Sequence, residues 1–171
     1  NLDSRPGEGV DIVYDFDYSP EPIPLDDDSI DEFLLSHVLE HLRFPLTVMQ
    51  ELHRIAKPGA HMAIRTPYGS SDDAWEDPTH VRPYFVNSFG YFSQPYYWQA
   101  DYGYRGDWKT NRVILLIDPD LHASIPNAQL WPRINSNRNM VIEMIAELEA
   151  VKPIREQKEE LREQTQVMIA P

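Results

Sequence analysis

Apolar and polar positions in the first half of the chain follow the periods of a strand, a helix and a second strand. Residues 29–36 (SIDEFLLS) form an apolar run of strand length behind a carboxylate-rich start. Pro45 suits the first turn of a helix, and the apolar positions after it recur at helical spacing, at Leu46, Met49, Leu52, His53 and Ala56. Lys57-Pro58-Gly59 ends this helix, and residues 61–66 (HMAIRT) are the next predicted strand. This succession predicts a parallel, right-handed crossover.

Further elements are predicted on either side of that unit. Residues 10–15 (VDIVYD) are typical of a short buried strand, and residues 111–117 (NRVILLI) of another, paired antiparallel with residues near 101–104. Residues 139–151 are predicted as an amphipathic helix with one apolar face, formed by Val141, Met144, Ile145, Leu148 and Val151. The charged run 154–168 carries a thin stripe at Ile154, Leu161 and Met168, which favours a solvated terminal helix over an oligomer helix.

Composition and charge exclude several classes of function. The 171 residues carry a formal net charge of -13, which repels phosphate backbones, so nucleic acid is an unfavourable partner. The absence of cysteine excludes disulfides and thiolate chemistry and fits a reducing cytoplasm, where we expect the protein. No apolar run approaches the roughly 18 residues of a membrane span, so we expect no membrane contact.

Aromatic residues concentrate between Tyr84 and Trp108, where eleven of them occur. Such a segment could line a substrate pocket or form a lid. It could equally pack as a satellite core under a long loop, which is the favoured interpretation.

The run from Pro24 to Gly69 resembles the middle of class I S-adenosylmethionine-dependent methyltransferases. It reads PLDDDSIDEFLLSHVLEHLRFPLTVMQELHRIAKPGAHMAIRTPYG, and its HxLEH, ELxR and KPG patterns are those that join two strands of the Rossmann-like sheet in that family. The following stretch, PYGSSDDAWEDPTHVR, resembles the small methyltransferases of type 11. The resemblance implies an α/β fold and methyl transfer to an acceptor that the sequence does not identify.

The resemblance also implies a set of cofactor residues. In this family S-adenosylmethionine lies across the carboxyl ends of neighbouring strands, and S-adenosylhomocysteine is the product. Asp3 matches the acidic residue that binds the ribose hydroxyls, and Asp15 with Phe16 matches the adenine site. Ser36 and His37 would lie beside the methionine moiety or the transferred methyl group.

Catalytic and acceptor contacts are expected around the loop that follows the KPG strand. His80, in Asp77-Pro78-Thr79-His80-Val81-Arg82, is a candidate general base or simply a loop-capping side chain, and His37 is a second candidate base. Tyr68, Arg82 and Tyr84 are the candidate substrate contacts. Arg82 also has many carboxylates with which it could pair, and we expect a small-molecule substrate.

The family pattern departs from this chain at its beginning. The strand, glycine-rich loop and helix that hold the cofactor's carboxylate would precede Asp3 by about 20 residues, and the sequence has no counterpart for them. We therefore expect a partial sheet, with an N-terminally truncated α/β domain over residues 1–120 and a helical extension over 121–171. An open strand edge would favour a homodimer. An inactive, self-associating scaffold is thus the alternative to a methyltransferase.

His37, Glu40 and His41 spell H-x-x-E-H, the inverted zincin pattern. A zinc hydrolase is the third hypothesis on that basis. The same letters belong to the methyltransferase-like segment, however, so no metal site is expected.

Overall fold

The computed structural model describes residues 1–171 as a mixed α/β chain. Its strands are β1 (Leu2–Asp3), β2 (Ile12–Val13), β3 (Ile30–Ser36), β4 (Ala56–Pro67), β5 (Trp108–Leu116), β6 (Glu143–Ala150) and β7 (Gln166–Ala170). Its helices are α1 (Pro45–Ile55), α2 (Asp73–Glu76), α3 (Pro119–Ser124) and α4 (Asn127–Ser136). Short 3-10 helices lie at Leu39–His41, Val86–Phe92, Gln94–Tyr97 and Glu159–Leu161.

The predicted crossover is confirmed, since β3 and β4 are parallel and α1 connects them. Pro45 opens α1, which buries Val48, Met49, Leu52 and Ile55 on one face. The following strand begins at Ala56, five residues earlier than predicted, because Ala56 already pairs with Ile30. Lys57-Pro58-Gly59 therefore lies inside β4, as part of an irregularity in register where Gly59 adopts a φ of 78°.

Two separate sheets make up the β-structure. The larger has the order β3-β4-β6-β5-β7, and β1 and β2 form a small parallel pair of their own. The α/β class is confirmed. Strand β3 stands at an edge of the large sheet, with no strand beyond it, and Leu34 on this strand is 73% exposed.

The helix predicted over residues 139–151 is wrong, because most of this segment is strand β6. Its side chains alternate between half-buried and buried, so that Met144, Ala146, Leu148 and Ala150 point into the core. The positions Val141, Met144, Ile145 and Leu148 recur at helical spacing, but within β6 Met144 and Leu148 share the buried face and Ile145 lies on the other. Antiparallel pairing with β4 on one side and β5 on the other decides the outcome, since both edges of β6 are hydrogen-bonded.

The terminal helix predicted over residues 154–168 is also wrong. The segment holds one 3-10 turn, and the chain then enters β7, which runs parallel to β5. The strand predicted at 111–117 is confirmed as β5, but its expected partner near 101–104 is not, because β6 and β7 occupy its two edges. Helix in the last third of the chain is confined to α3 and α4.

The aromatic segment contributes directly to the main core. Six of its rings are buried in the same cluster of 31 residues as the sheet and α1, namely Tyr84, Phe89, Phe92, Tyr97, Tyr104 and Trp108. Trp108 is the largest fully buried side chain, and its Nε1 donates to the Met49 carbonyl at 2.9 Å. The rings therefore extend the main core, whereas the sequence favours a separate satellite core.

None of the α-helices has the length and apolar character that crossing a membrane requires.

Candidate functional site

A cleft of about 340 Å³ opens beyond the carboxyl ends of β1, β2 and β3. Among its lining residues are Asp3, Asp15, Phe16 and His37, so four of the predicted cofactor residues lie together. The fifth, Ser36, ends β3 and does not line the cleft. The volume lies within the range of roughly 300–1,000 Å³ that is usual for small-molecule sites.

Backbone hydrogen bonds shape the acidic wall of this cleft. Asp15 Oδ1 accepts from the amides of Asp17 and Tyr18 at 3.0 and 3.2 Å. The Asp17 carboxylate in turn accepts from the Arg43 amide at 3.0 Å, which ties the loop to the residues before α1. Asp3 Oδ1 accepts from the Arg5 amide at 2.9 Å. In both Asp3 and Asp15 the second carboxylate oxygen makes no hydrogen bond within the chain, so it is available to a ligand.

His37 closes the end of β3 in a left-handed conformation. Its φ is 52°, which a non-glycine residue adopts at a cost of roughly 1–3 kcal/mol. Its ring lies between two carboxylates, with Nδ1 3.2 Å from Glu40 Oε1 and Nε2 2.9 Å from Glu143 Oε1. Glu143 also accepts from Arg65 Nε at 2.7 Å. The chain therefore holds this imidazole at the cleft from both sides.

Two further histidines, His41 and His80, contact each other at the wall of the cleft. The His41 and His80 rings meet edge to face with their centroids 4.8 Å apart. The 3-10 turn carries His41, and the loop that carries His80 is fastened to this turn because the Val81 amide donates to the Glu40 carbonyl at 2.8 Å. His41 lines the cleft and His80 does not. The two candidate bases, His37 and His80, therefore lie in different surroundings.

Thr79 and Asp77 order this loop. The Thr79 amide and hydroxyl both donate to Asp77 Oδ1, at 2.8 and 2.6 Å, and these bonds lower the pKa of the Asp77 carboxyl. Thr79 Oγ1 also lies 3.0 Å from His41 Nδ1. Because the hydroxyl hydrogen is given to Asp77, the oxygen accepts from His41, which fixes the tautomer of that ring.

Glu40 is the most deeply buried ionisable group of this region, at 2% exposure. Neither of its carboxylate oxygens has a hydrogen-bond partner, because His37 Nδ1 approaches Oε1 outside hydrogen-bond geometry. The His80 Nδ1 atom is likewise buried without a partner. Buried polar atoms are nearly always paired in folded proteins, so this cluster stands out.

The candidate substrate residues lie outside the cleft. Tyr68 is buried and lines a cavity of about 1010 Å³ on the aromatic side, and burial raises its pKa. Arg82 and Tyr84 line a third cavity, of about 450 Å³. Arg82 Nη2 donates to the Arg43 carbonyl at 3.1 Å and makes no ion pair, and burial raises the pKa of Tyr84.

Sequence reasoning missed several residues of the cleft. Tyr14, Tyr18 and His41 line it but carry no site prediction. His41 has a signal in the sequence, since it ends the H-x-x-E-H pattern. The other two have none beyond their closeness to Asp15.

The first part of the chain matches a known family of protein domains. Residues 7–64, about a third of the chain, match a family model described as a methyltransferase domain. The matched range includes Asp15, Phe16, Ser36 and His37, as well as β3, α1 and most of β4. Over this range the match confirms the resemblance to methyltransferases. No curated protein sequence matches the chain.

Solved structures resemble this chain at low identity. An S-adenosylmethionine-dependent methyltransferase from Archaeoglobus fulgidus aligns with 73% of this chain and 61% of its own, at 16% identity and a TM-score of 0.46. The YcgJ protein of Bacillus subtilis aligns over 75% of this chain and 67% of its own length, at 13% identity and a TM-score of 0.46. An arsenic(III) S-adenosylmethionine methyltransferase from Chlamydomonas reinhardtii aligns over 79% of this chain and 42% of its own length, at 15% identity and a TM-score of 0.43. The chain thus spans about two fifths to two thirds of the length of these proteins.

Proposed function

We propose that this chain, whose residues 7–64 match a methyltransferase-domain model, binds S-adenosylmethionine in the cleft and serves in methyl transfer to a small molecule. One observation carries the proposal: Asp3, Asp15, Phe16 and His37 converge on one cavity beyond the carboxyl ends of parallel strands. Ligands of α/β proteins bind at that end of the strands.

The residues present fit the cofactor. Asp3 and Asp15 each keep a carboxylate oxygen without an internal partner, and a carboxylate can accept hydrogen bonds from ribose hydroxyls or an amino group. Phe16 is half-buried against the core and offers an aromatic surface beside them. When bound, the cofactor supplies an electrophilic methyl group.

The chain's own part in the transfer would be positioning. Alignment of two reactants and exclusion of water account for much of such catalysis. His37 lies at the cleft and is held by Glu40 and Glu143, so it could orient an acceptor there. Both of its ring nitrogens face carboxylates, so they are poorly placed to take a proton from an acceptor, whereas His80 Nδ1 has no partner but lies behind His41.

We propose Arg82 and Tyr84 as acceptor contacts on the far side of the Leu39–His41 turn. The Tyr84 hydroxyl donates to the Leu39 carbonyl at 3.4 Å, which connects the wall of the 450 Å³ cavity to the turn whose His41 lines the cleft. Tyr68, on the larger aromatic cavity, is a more distant candidate. The acidic surface disfavours a nucleic-acid acceptor, and a cytoplasmic location stays a prediction.

The test is cofactor binding by the unmodified chain. S-adenosylhomocysteine should raise the melting temperature, since a ligand at 100 times its dissociation constant adds about 2.7 kcal/mol. Asp3→Ala and Asp15→Ala should remove most of that rise. Glu8→Ala is the matched control, because Glu8 is exposed and makes no hydrogen bond or ion pair within the chain. No rise at millimolar ligand would refute the proposal.

The open edge of β3 favours a second, non-catalytic candidate function. Leu34 is 73% exposed on a strand with no neighbour on its outer edge, and such edges pair readily with other chains. We propose that a second copy of this chain pairs there. Sedimentation should show a dimer that Leu34→Asp weakens and Leu161→Asp, at another exposed leucine, does not. A monomer at all concentrations would exclude it.

A further inference from the structure

We propose that Glu40, His41 and His80 form a site for a divalent transition-metal ion in the wall of the cleft. One ligand atom from each of the three residues lies within 4.8 Å of the other two. The H-x-x-E-H pattern alone would assign the ion to His37, Glu40 and His41, but the fold replaces His37 with His80, which comes from a loop about 40 residues further along the chain.

The buried carboxylate of Glu40 is the first observation that calls for a cation. Its oxygens have no hydrogen-bond partner at 2% exposure, and a buried polar group without a partner is destabilising. Its own surroundings offer little relief: His37 Nδ1 approaches at 3.2 Å without hydrogen-bond geometry, and no lysine or arginine pairs with it. A metal ion held by Oε1 or Oε2 would supply the missing partner.

The two imidazoles are already arranged as ligands. His41 Nδ1 donates to Thr79, so in the neutral ring Nε2 is the atom left to bind an ion, and Nε2 makes no hydrogen bond within the chain. His80 Nδ1 is buried and unpartnered. The chain Asp77–Thr79–His41 is the kind of outer support that orients metal-bound histidines.

The ligand set selects the class of ion. Two imidazole nitrogens and one carboxylate oxygen suit zinc, cobalt or iron(II), whereas magnesium and calcium prefer oxygen alone. Bonds of about 2.0–2.1 Å to nitrogen would bring the three atoms closer than they lie here, by a side-chain shift of roughly 1 Å. Three protein ligands leave a position open, and the ion would lock the loop of His80 onto the turn that lines the cleft.

The experiment measures metal binding, so its outcome does not depend on the proposed methyl transfer. The full chain, freed of metal by a chelator, is titrated with cobalt(II) and followed by visible absorption, then with zinc and followed by melting temperature. We expect one ion per chain, an absorption band that zinc removes, and a higher melting temperature with zinc. His80→Gln and Glu40→Gln should each weaken binding at least tenfold.

Two control variants keep the result interpretable. His61→Gln, on an exposed histidine of β4, should leave binding unchanged, and His37→Gln, beside the ligand Glu40, should weaken it less than His80→Gln does. If His37→Gln removes the ion and His80→Gln does not, the inference is wrong and the H-x-x-E-H set holds the metal. Absence of the band and of any zinc effect, in a chain whose circular dichroism is native, would also overturn it.

Discussion

The cleft and the aromatic segment satisfy their polar groups in opposite ways. Around the cleft, Asp3 and Asp15 keep free carboxylate oxygens, and Glu40 and His80 keep buried atoms with no partner. In the aromatic segment, Asp107 is fully buried and accepts from Gln94 and from three donors of Arg155. Gln94, also buried, donates to the carbonyls of Tyr104 and Gly106.

This difference separates a structural region from the region that we propose binds a ligand. A fully satisfied network stabilises one arrangement and has nothing left to offer a ligand. Unsatisfied polar atoms destabilise the free chain and become useful when a ligand or ion pairs with them. Substitutions in the aromatic segment should therefore change stability, and substitutions at the cleft should change binding.

The largest effect is expected from Asp107→Ala. The variant leaves the Arg155 guanidinium, whose pKa Asp107 raises, without its partner, and breaking a buried ion pair in this way costs about 3–5 kcal/mol. Urea unfolding measures the loss. Asp101→Ala, at the exposed partner of Arg105, is the control and should change far less. Equal losses of unfolding free energy in the two variants would show that the Asp107 network stabilises the chain no more than an exposed ion pair does.

A smaller loss is expected from Tyr104→Phe. The Tyr104 hydroxyl donates to the Phe92 carbonyl at 3.0 Å in the buried part of the aromatic segment. Its removal leaves that carbonyl unpaired, at about 1–3 kcal/mol. Tyr102→Phe is the matched control, because Tyr102 is 75% exposed and its hydroxyl makes no hydrogen bond within the chain. Unchanged stability in Tyr104→Phe would mean that water replaces the hydroxyl.

The sequence predicts the fold of the chain before Gly69 better than the fold after it. The crossover of β3, α1 and β4 follows from local signals, such as Pro45 and the spacing of Leu46, Met49 and Leu52. The elements after Gly69 depend on pairing between distant parts of the chain. The apolar positions of β6 therefore could not be distinguished, from the sequence, from the apolar face of a helix. The polar network of Asp107 and Arg155 joins residues 48 positions apart, and nothing local in the sequence signals it.

Prediction of the cleft from the sequence is limited in the same way, by contacts between distant residues. Asp3, Asp15, Phe16 and His37 could be assigned because a family resemblance aligns them with the carboxyl ends of strands. The approach of His80 to His41 depends on how the loop after β4 folds back, through the hydrogen bond from Val81 to Glu40. Spacing along the chain favours His37 for that position instead.

Acidification should destabilise the chain through His53. Burial lowers the pKa of this ring below its ordinary value of 6.5, and its Nε2 donates to the Val151 carbonyl at 3.1 Å. The unfolded chain therefore takes up a proton at a higher pH than the folded one, so stability falls as pH drops below about 6.5. Melting temperatures from pH 7.5 to 5.5 should fall less steeply in His53→Gln than in the wild type. The exposed control His61→Gln should keep the wild-type slope, and identical slopes in all three proteins would contradict the assignment.

The smallest effect on stability is expected at the cleft itself, from Asp3→Asn. Asp3 is exposed and its one internal hydrogen bond, from the Arg5 amide, can be accepted by an amide oxygen as well. Exposed substitutions of this kind usually change the free energy of unfolding by less than about 0.5 kcal/mol. Binding of S-adenosylhomocysteine should weaken nevertheless, because the asparagine has one acceptor fewer for the ribose hydroxyls. Urea unfolding and calorimetric titration on the same preparation separate the two quantities. If stability falls and binding does not, Asp3 belongs with the structural network, and the contrast between the two regions fails at the residue where it should be clearest.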